Sequence, residues 1–514
     1  MIRQRHATLT ALGTALLVAV CSLAVAQEPR FGGTMRVATH AEPQTLDQTW
    51  GTQDVIYCIS ANILETIYTF NAAGEPVPHL LQSHEISDDG REHALQLRQG
   101  VSFHDGSEMT ADDVVASLER WMDRNALGRE IAQRSVSIEA VDDYRVAWTF
   151  SEPVGPLTYA LANWTQGAVV YPARVVAAAG SQNMIDEIVG TGPFEFVEWQ
   201  RGSYVRLQRF EDYQAVDAEP DGTAGRRTAY VDELVFTFVP EASVRSIGVQ
   251  VGDLDFAIDV EAETASRLLN DPNVQVLRGK TGTAMLTPSH VDSHFANKTL
   301  RQAVQAAVCA EDVLQVYHSE AFYDVDPSIT GFGPWWTDVG ADRYDMCDPD
   351  RARDLALEAG YDGSPLRVLI RTGDRSAIDI ATVLQAQLAV AGINLELLIM
   401  DDAAAGAARL DRTSWEALIN QSLQRFHPIL HSHLPASGLS MWQNDQKEAL
   451  IDELFAAVSH DEAFEVWEQI EDLWYEDVAT VKIGNFHFAN VAHSTVRGVV
   501  EFPVPFFWNV WLDR

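Results

Sequence analysis

Residues 101–121 read VSFHDGSEMTADDVVASLERW, with a histidine, an aspartate and a glycine in a row and a pair of aspartates after them. Thr110 followed by Asp113 resembles a capping box, and the apolar positions beyond it recur at helical spacing. Asp112 and Asp113 fall in the first helical turn, where the helix dipole favours negative charge. The stretch therefore predicts a strand, a tight turn and a capped amphipathic helix, in which the acidic residues have structural rather than catalytic roles.

The composition is that of a large and strongly acidic globular chain. It has 514 residues, a net charge of −38, 46% hydrophobic residues and 21% charged residues. This length predicts two or three lobes with separate cores. An acidic surface repels nucleic-acid phosphates and anionic membranes, so no nucleic-acid partner is expected.

Residues 1–26 are typical of a secretory signal peptide. Arg3 and Arg5 precede the apolar run LTALGTALLVAV, and small residues lead to Ala26. We expect cleavage after Ala26. A lipid anchor at Cys21 is disfavoured, because a valine precedes that cysteine where a small residue is usual.

The three cysteines beyond residue 26 are an odd number, so they cannot all pair within one chain. An oxidising compartment permits one bridge. We predict the pair Cys309–Cys347, which flanks a Gly/Pro/Trp loop, and leave Cys58 free. No CxxC pair supports a cysteine-rich zinc site.

Two later segments have clear local patterns. In residues 366–400, RVLIRT predicts a strand, residues 377–391 a helix ended by Gly392, and INLELLIM a second strand, which implies a parallel β-α-β unit. Residues 506–512, FFWNVWL, are aromatic and predict a closing strand.

Enzyme motifs are not supported. The Gly-x-Gly at 190–192 lacks a third glycine, and no GxSxG, HExxH or P-loop pattern occurs. DAEPDG at 217–222 begins like a calcium loop, but Thr228 stands where a bidentate acid is required. We therefore predict no catalysis and no cofactor.

Three histidines, His427, His431 and His433, lie close together in RFHPILHSHL. Such a tract could ligate a transition metal. A polar loop with incidental histidines is the favoured alternative, so no metal site is assigned.

Five segments resemble the family-5 solute-binding proteins of ABC importers, the dipeptide-, oligopeptide- and nickel-binding group. They are ANILETIYTF (61–70), PVPHLLQSHEISDDG (76–90), LRQGVSFHDGSEMTADDVVASLERW (97–121), GTGPFEFVEWQRGSYVRLQRF (190–210) and DPDRARDLALEAGYDG (348–363). The resemblance runs from about residue 31 to the C-terminus.

The resemblance implies an α/β, two-lobed periplasmic-binding-protein fold with a small additional α+β domain. The ligand lies between lobes that close by a hinge motion. The implied ranges are 27–72, 186–281 and 483–514 for lobe one, 73–185 for the extra domain and 282–482 for lobe two.

The resemblance also locates the pocket. LDQTWGTQDVIYCISANILE matches a pocket segment of the family, which implies that Thr52 and Asp54 face the cleft. NQSLQRFHP (420–428) matches a lobe-two loop in which an aspartate grips the amino group of a peptide. Here Gln424 replaces that aspartate and Gln421 replaces the usual tryptophan.

This departure argues against ordinary peptides, because a neutral amide cannot make the charge-assisted contact that an ammonium group needs. Arg425, in the same loop as His427, could hold a carboxylate or phosphate on two prongs. A surface salt bridge is the alternative for Arg425.

Aromatic side chains are expected to supply further affinity. Trp335 and Trp336 adjoin in TGFGPWW and cannot share one face, so we expect one to face the cleft and the other to pack. Trp336 suits stacking on a flat or sugar-like ligand, and Trp164 is a further candidate. Trp508 is expected to pack in the core.

The sequence thus predicts a periplasmic binding protein, expected to be monomeric, that hands a small organic solute to an ABC permease in the inner membrane. The expected ligand is an opine, a modified peptide or an oligosaccharide. An ordinary di- or oligopeptide receptor and a nickel or metal-chelate receptor remain open alternatives. A secreted hydrolase is disfavoured.

Overall fold

The computed structural model describes residues 28–51, 53–180, 183–330, 333–423, 425–503 and 505–514. The signal peptide predicted for residues 1–26 lies outside these residues, as do the predicted pocket residues Thr52 and Gln424. Within the described ranges, no helix is both long enough and apolar enough to cross a bilayer.

The strands follow in chain order: β1 (Thr34–Thr39), β2 (Tyr68–Phe70), β3 (Pro76–Pro78), β4 (Leu81–Ile86), β5 (Glu92–Leu97), β6 (Ser135–Asp142), β7 (Arg145–Phe150), β8 (Phe194–Gln200), β9 (Tyr204–Arg209), β10 (Glu233–Phe238), β11 (Phe256–Val260), β12 (Val274–Pro288), β13 (Tyr323–Asp324), β14 (Leu366–Arg371), β15 (Leu395–Met400), β16 (Ala417–Leu423), β17 (Val481–His493), β18 (Val496–Arg497) and β19 (Trp511–Leu512).

The α-helices are α1 (Asp54–Ser60), α2 (Ala111–Arg124), α3 (Ala126–Arg134), α4 (Leu157–Ala162), α5 (Ala173–Ala179), α6 (Ala242–Gln250), α7 (Ala262–Leu268), α8 (Lys298–Ala307), α9 (Ala310–Leu314), α10 (Pro349–Glu358), α11 (Arg375–Val390), α12 (Asp402–Leu410), α13 (Asp445–Ala456) and α14 (His460–Asp477).

One large mixed sheet runs through the molecule in the order β15-β14-β16-β12-β17-β11-β1-β10-β9-β8. We call the part built on β1 and β8–β11 lobe one, and the part built on β14–β16 lobe two. A separate sheet, β4-β5-β7-β6, forms the insert. Each part has its own buried apolar cluster, so each has a core that hydrophobic burial stabilises.

Two long strands, β12 and β17, belong to both lobes. They pair antiparallel from Val274 to Leu286, and β12 pairs with β16 only from Gly282 onward. The β12–β17 register shifts between Arg278 and Thr281, near the point where one set of neighbours replaces the other. The main chain is therefore continuous between the lobes, with an irregularity where they meet.

The predicted β-α-β unit is confirmed. β14 and β15 pair parallel over six residues, α11 joins them, and Gly392 follows the helix with a φ of +79°. Most residues of β14 are buried, as expected for a parallel strand covered on both faces.

The stretch 101–121 forms the predicted turn and capped helix, but the predicted strand is wrong, because only an isolated bridge joins Ser102 to Glu108. The carboxylate of Asp113 accepts hydrogen bonds from the backbone N and the hydroxyl of Thr110, at 2.8 and 2.9 Å. Asp105 accepts from Ser107 and pairs with Arg174. Both acidic residues hold the fold, which agrees with a structural role.

α2 also anchors the insert to lobe one. Arg120 donates to a carboxylate oxygen of Asp47 at 2.6 Å, and both side chains are buried. Asp47 also accepts from the backbone N of Ile185 at 2.9 Å. One buried ion pair therefore links α2 to the segment that follows β1.

The predicted disulfide is confirmed: Cys309 and Cys347 are bonded, with Cα atoms 4.5 Å apart, and Cys58 is a buried free thiol. The closing strand predicted over 506–512 is mostly wrong. In that segment only Trp511–Leu512 form a strand, whereas the rings of Phe506 and Trp508 stack at 4.4 Å. These aromatic rings are buried by side-chain packing, not by strand pairing.

Replacing Thr110 by alanine is expected to lower the free energy of unfolding by about 1 kcal/mol, because the capping box at α2 is lost. Denaturant unfolding of the ligand-free protein measures this. Thr110→Ser keeps the hydroxyl and is the control. Equal stability of the alanine variant and the wild type would contradict the capping role.

Replacing Cys309 and Cys347 together by serine is expected to lower the free energy of unfolding by about 2–4 kcal/mol, because the bridge closes a loop with a sequence separation of 38. Denaturant unfolding without reductant measures the loss, and Cys58→Ser is the control for thiol removal. A loss that persists when both proteins are compared in reductant would contradict the assignment to the bridge.

Candidate functional site

The candidate site is the loop after β16, where lobe two meets lobe one and the insert. Arg425 donates from Nη1 to the hydroxyl of Thr165 at 3.0 Å, across 260 residues of sequence. Tyr57 of α1 lies nearby, and its hydroxyl donates to the carbonyl of Gly51 at 2.9 Å. Three distant segments therefore converge on one guanidinium.

The guanidinium of Arg425 has no acidic partner in the described part of the chain. It is partly buried, and no carboxylate of these residues lies within ion-pair distance of it. Burial lowers the pKa of Arg425, and the neighbouring Tyr57 opposes that shift. Burial also raises the pKa of Tyr57 to about 12, so its hydroxyl stays neutral. A desolvated cation without a counter-ion is costly and favours the approach of an anion.

An aromatic pocket lies beside this charge. Phe426 inserts its ring between Phe70, Trp164 and Phe502, with ring centroids 4.5, 5.2 and 5.7 Å away, and is only 4% exposed. Trp164, a predicted ligand residue, therefore packs against lobe two. The contact of Arg425 with Thr165 and the contact of Phe426 with Trp164 are therefore adjacent.

The two adjacent tryptophans differ in environment, as expected for neighbours on opposite faces. Trp335 is buried, and its ring packs against His427 at 4.4 Å and Tyr159 at 5.8 Å. Trp336 is 45% exposed and donates from Nε1 to Asp326 at 3.0 Å. Trp335 thus has a packing role in this closed arrangement, while Trp336 keeps a free ring surface. Trp508 is buried, as predicted.

Gln421, on β16, points into lobe two. It accepts from the Tyr317 hydroxyl at 2.9 Å and donates to Ser376 at 2.8 Å and to Asp374 at 3.2 Å. Its amide is therefore held by its own lobe.

Asp54 opens α1 and accepts from the backbone N of Val55 at 2.9 Å. One carboxylate oxygen lies 3.6 Å from Nε2 of His40, and Asp259 lies 3.5 Å from the other ring nitrogen. Asp54 thus belongs to a polar cluster of lobe one.

His427, His431 and His433 are buried and do not form a shared metal-binding group among the described residues. The cluster whose ligand atoms all lie within 4.8 Å of one another is His40, Asp54 and Asp259. Burial lowers the pKa of His427 and His431 to about 3 and that of His433 to about 4. The three histidines are therefore neutral interior residues.

A cavity of about 320 Å³ lies between the lobes on the other side of Phe426. Asp324 and Glu501 line it, and Asp324 accepts from His487 at 2.6 Å. Tyr57, Thr165, Phe426 and Asp324 were not predicted from the sequence. Thr165 follows Trp164, Phe426 follows Arg425, and Tyr57 lies in the matched pocket segment, whereas Asp324 had no local signal.

These features define a two-lobed α/β protein with a candidate ligand site where the lobes meet. The model of the bacterial extracellular solute-binding proteins, family 5, matches residues 75–428, so the chain belongs to that family. The family consists of transport binding proteins.

Curated relatives are similar over nearly the whole chain. A probable peptide ABC transporter periplasmic-binding protein of Sinorhizobium fredii is 26% identical over 87% of this chain and 88% of its own length. Di/tripeptide-binding protein 4 of Pseudomonas aeruginosa is 26% identical, over 97% of both chains.

Solved structures share the fold. The periplasmic binding protein AgaA of A. tumefaciens R10, in complex with agropinic acid, has a TM-score of 0.76 at 23% identity, over 94% of this chain and 99% of that one. The substrate-binding protein CtaP of Listeria monocytogenes has a TM-score of 0.80 at 21% identity, over 94% of this chain and 100% of that one.

The buried histidines predict a pH dependence of stability. Their folded pKa values of about 3, 3 and 4 lie below the ordinary 6.5, so below pH 6.5 only the unfolded chain takes up their protons. Their stabilisation is full above pH 6.5 and is lost as the pH falls toward 4. We expect each histidine to remove about 1.4 kcal/mol per pH unit in that range.

Unfolding free energies measured by denaturant at pH 7.0, 6.0 and 5.0 test this expectation. His431→Gln removes one of the three groups, so its pH slope should be shallower than that of the wild type, whatever its absolute stability. Parallel slopes for the two proteins would contradict the burial of a neutral histidine.

Proposed function

We propose that this protein is the substrate-binding component of an ABC importer, which captures a small organic anion between its lobes in the periplasm and delivers it to an inner-membrane permease. The anionic assignment rests on Arg425, whose guanidinium is partly buried and has no carboxylate partner among the described residues. A carboxylate or phosphate of the ligand would offset the desolvation cost of Arg425 through charge-assisted hydrogen bonds.

The proposal includes a division of the chain. Residues 1–26 are removed on export. Lobe one comprises residues 27–72, 186–281 and 483–514, the extra domain 73–185, and lobe two 282–482. The protein works as a monomer without catalysis.

Several side chains complete the proposed pocket. Arg425 binds the acidic group of the ligand, and the hydroxyls of Thr165 and Tyr57 lie beside Arg425. The ring of Trp164 forms one side of the pocket. Thr52, Asp54, Gln421, Gln424, His427, Trp335 and Trp336 stay in the proposal as residues in or near the cleft. Opines and acidic modified peptides match this mixture of one cation and aromatic surface.

A short-peptide receptor is the second candidate, favoured by Asp324. This carboxylate is about half exposed in the interlobe cavity and could accept the ammonium group of a peptide. It already accepts from His487 at 2.6 Å, and Arg278 at 3.8 Å offsets part of its negative charge at the cavity.

A thermal-shift screen of refolded, ligand-stripped protein separates the candidates. The panel holds opines, di- to pentapeptides, oligosaccharides, dicarboxylates, and nickel with and without histidine. A ligand at a hundred times its dissociation constant adds about 2.7 kcal/mol of stability and raises the melting temperature. Shifts restricted to acidic compounds support the proposal, whereas shifts with neutral sugars or with ordinary peptides irrespective of charge contradict it.

Arg425→Ala is expected to weaken binding of the acidic ligand found in that screen at least tenfold, because the charge-assisted contact is lost. The melting temperature without ligand should be unchanged or higher, since an unpaired desolvated cation is removed. Calorimetric titration measures the affinity.

Arg353→Ala is the matched control, because Arg353 of α10 pairs with Asp350, 2.6 Å away, on the surface of lobe two. Arg425→Lys keeps the charge but loses the two-pronged geometry and should bind with intermediate affinity. Unchanged affinity in Arg425→Ala would refute the assignment.

A further inference from the structure

Lobe two contains a crevice where the direction of strand connection changes. β14 continues through α11 to β15 on one side, while β16 lies on the other side of β14. The parallel pairing of β14 with β16 covers only Val368–Ala417 and Leu369–Leu418. Beyond these pairs the carboxyl ends of the two strands separate. In open α/β sheets such a switch point is where ligands bind.

The crevice holds a cavity of about 400 Å³. The end of β14, the end of β16 and the exposed side of α12 line it. Its polar side chains are Arg371, Asp374, Arg409, Asn420 and Gln421.

The crevice has a net positive charge, although the whole chain has 74 acidic and 36 basic residues. Arg409 has no carboxylate within ion-pair distance among the described residues. Arg371 lies 3.8 Å from Asp374, the one acid among the described lining residues. The other oxygen of Asp374 caps α11 by accepting from Ala377 at 3.1 Å. Two arginines therefore line the crevice with one carboxylate, which is also held by Ala377 and Gln421.

The arginines also lie close enough to repel one another. Partial burial, and then repulsion from Arg412 and Arg371, lowers the pKa of Arg409. Arg412 is engaged elsewhere, because its guanidinium lies 5.1 Å from the Trp415 ring centroid and donates to the carbonyl of Leu439. An anion between Arg371 and Arg409 would relieve this repulsion.

The crevice opens toward the cleft between the lobes. Gln421 and Asp374 also line a neighbouring cavity of about 480 Å³, whose opposite wall includes Glu261 and Glu263 of lobe one. Gln421 precedes Arg425 by four residues along the chain.

We propose that the crevice binds a second acidic group of the ligand, a carboxylate or phosphate, through Arg371 and Arg409. The inference rests on the proposed function, in which Arg425 holds the first acidic group. The ligand is then an extended molecule with an acidic group at each end.

Calorimetric titration of the ligand-stripped full chain tests this with defined probes. Succinyl-Ala-Ala-Ala carries a carboxylate at each end, whereas its C-terminal amide and acetyl-Ala-Ala-Ala carry one each. A fourth probe replaces the terminal carboxylate of succinyl-Ala-Ala-Ala by a phosphate monoester and distinguishes the two acid types. We expect a two-charge probe to bind the wild type at least tenfold more tightly than either single-charge probe.

Arg371→Gln and Arg409→Gln should each reduce that preference to threefold or less and leave the affinity for the single-charge probes unchanged. Both side chains are exposed, so folding should be preserved, and melting temperatures check this. Arg353→Gln removes the same charge from the surface of lobe two and should keep the preference. Retention of a tenfold preference in both crevice variants would overturn the proposal.

Arg425→Gln separates this inference from the proposed function. It should weaken binding of every acidic probe if Arg425 holds the first group. If it leaves single-charge binding intact while the crevice variants lose the preference, the role of Arg425 fails and the crevice stands. If neutral peptides bind the wild type and no acidic probe does, both assignments fail.

Discussion

The antiparallel pairing of β12 with β17 is the constraint on which the arrangement of the lobes depends. The pairing runs from lobe one into lobe two, so the lobes share a continuous hydrogen-bonded ribbon. The register shift between Arg278 and Thr281 is one of two in that ribbon, and the other lies between Ala284 and Met285. At the first of these shifts, His487 bonds to Thr281 at 3.0 Å and to Asp324 at 2.6 Å, which satisfies polar groups that regular pairing leaves over. The ribbon thus fixes where the loop after β16 meets the other lobe.

The closed cleft combines one favourable and one costly contact on adjacent residues. Burial of Phe426 against Phe70, Trp164 and Phe502 stabilises closure by about 1.5–3 kcal/mol. Burial of Arg425 beside Thr165 opposes it, because one hydroxyl does not replace the hydration of a full positive charge. The apolar contact is made by the protein alone, whereas the charge of Arg425 would be balanced by the anion of the proposed function. The proposal therefore couples closure to anion binding.

The candidate site could be predicted from the sequence only in part. Arg425 was predicted because it follows Gln424, which replaces the aspartate that the family has at that position. This substitution can be read from one short stretch of sequence. The side chains that surround Arg425 were not visible, since Thr165 is 260 residues away and Tyr57 belongs to another lobe. The burial of Trp335, and the exposure of Trp336, likewise depend on Tyr159 and His427 from other segments.

The sequence by itself determined the elements whose signals act within a few residues. Thr110 and Asp113 specify a helix start, and the pattern of 366–400 specifies a β-α-β unit, because capping and apolar periodicity are local interactions. Only the tertiary structure decided the crevice between β14 and β16, which depends on strand order, and the packing of Phe506 and Trp508 in place of a strand. The tertiary structure also decided which arginines have acidic partners. Whether Arg425 or Arg409 is paired depends on which distant carboxylates the fold brings within reach, and no local pattern encodes that distance.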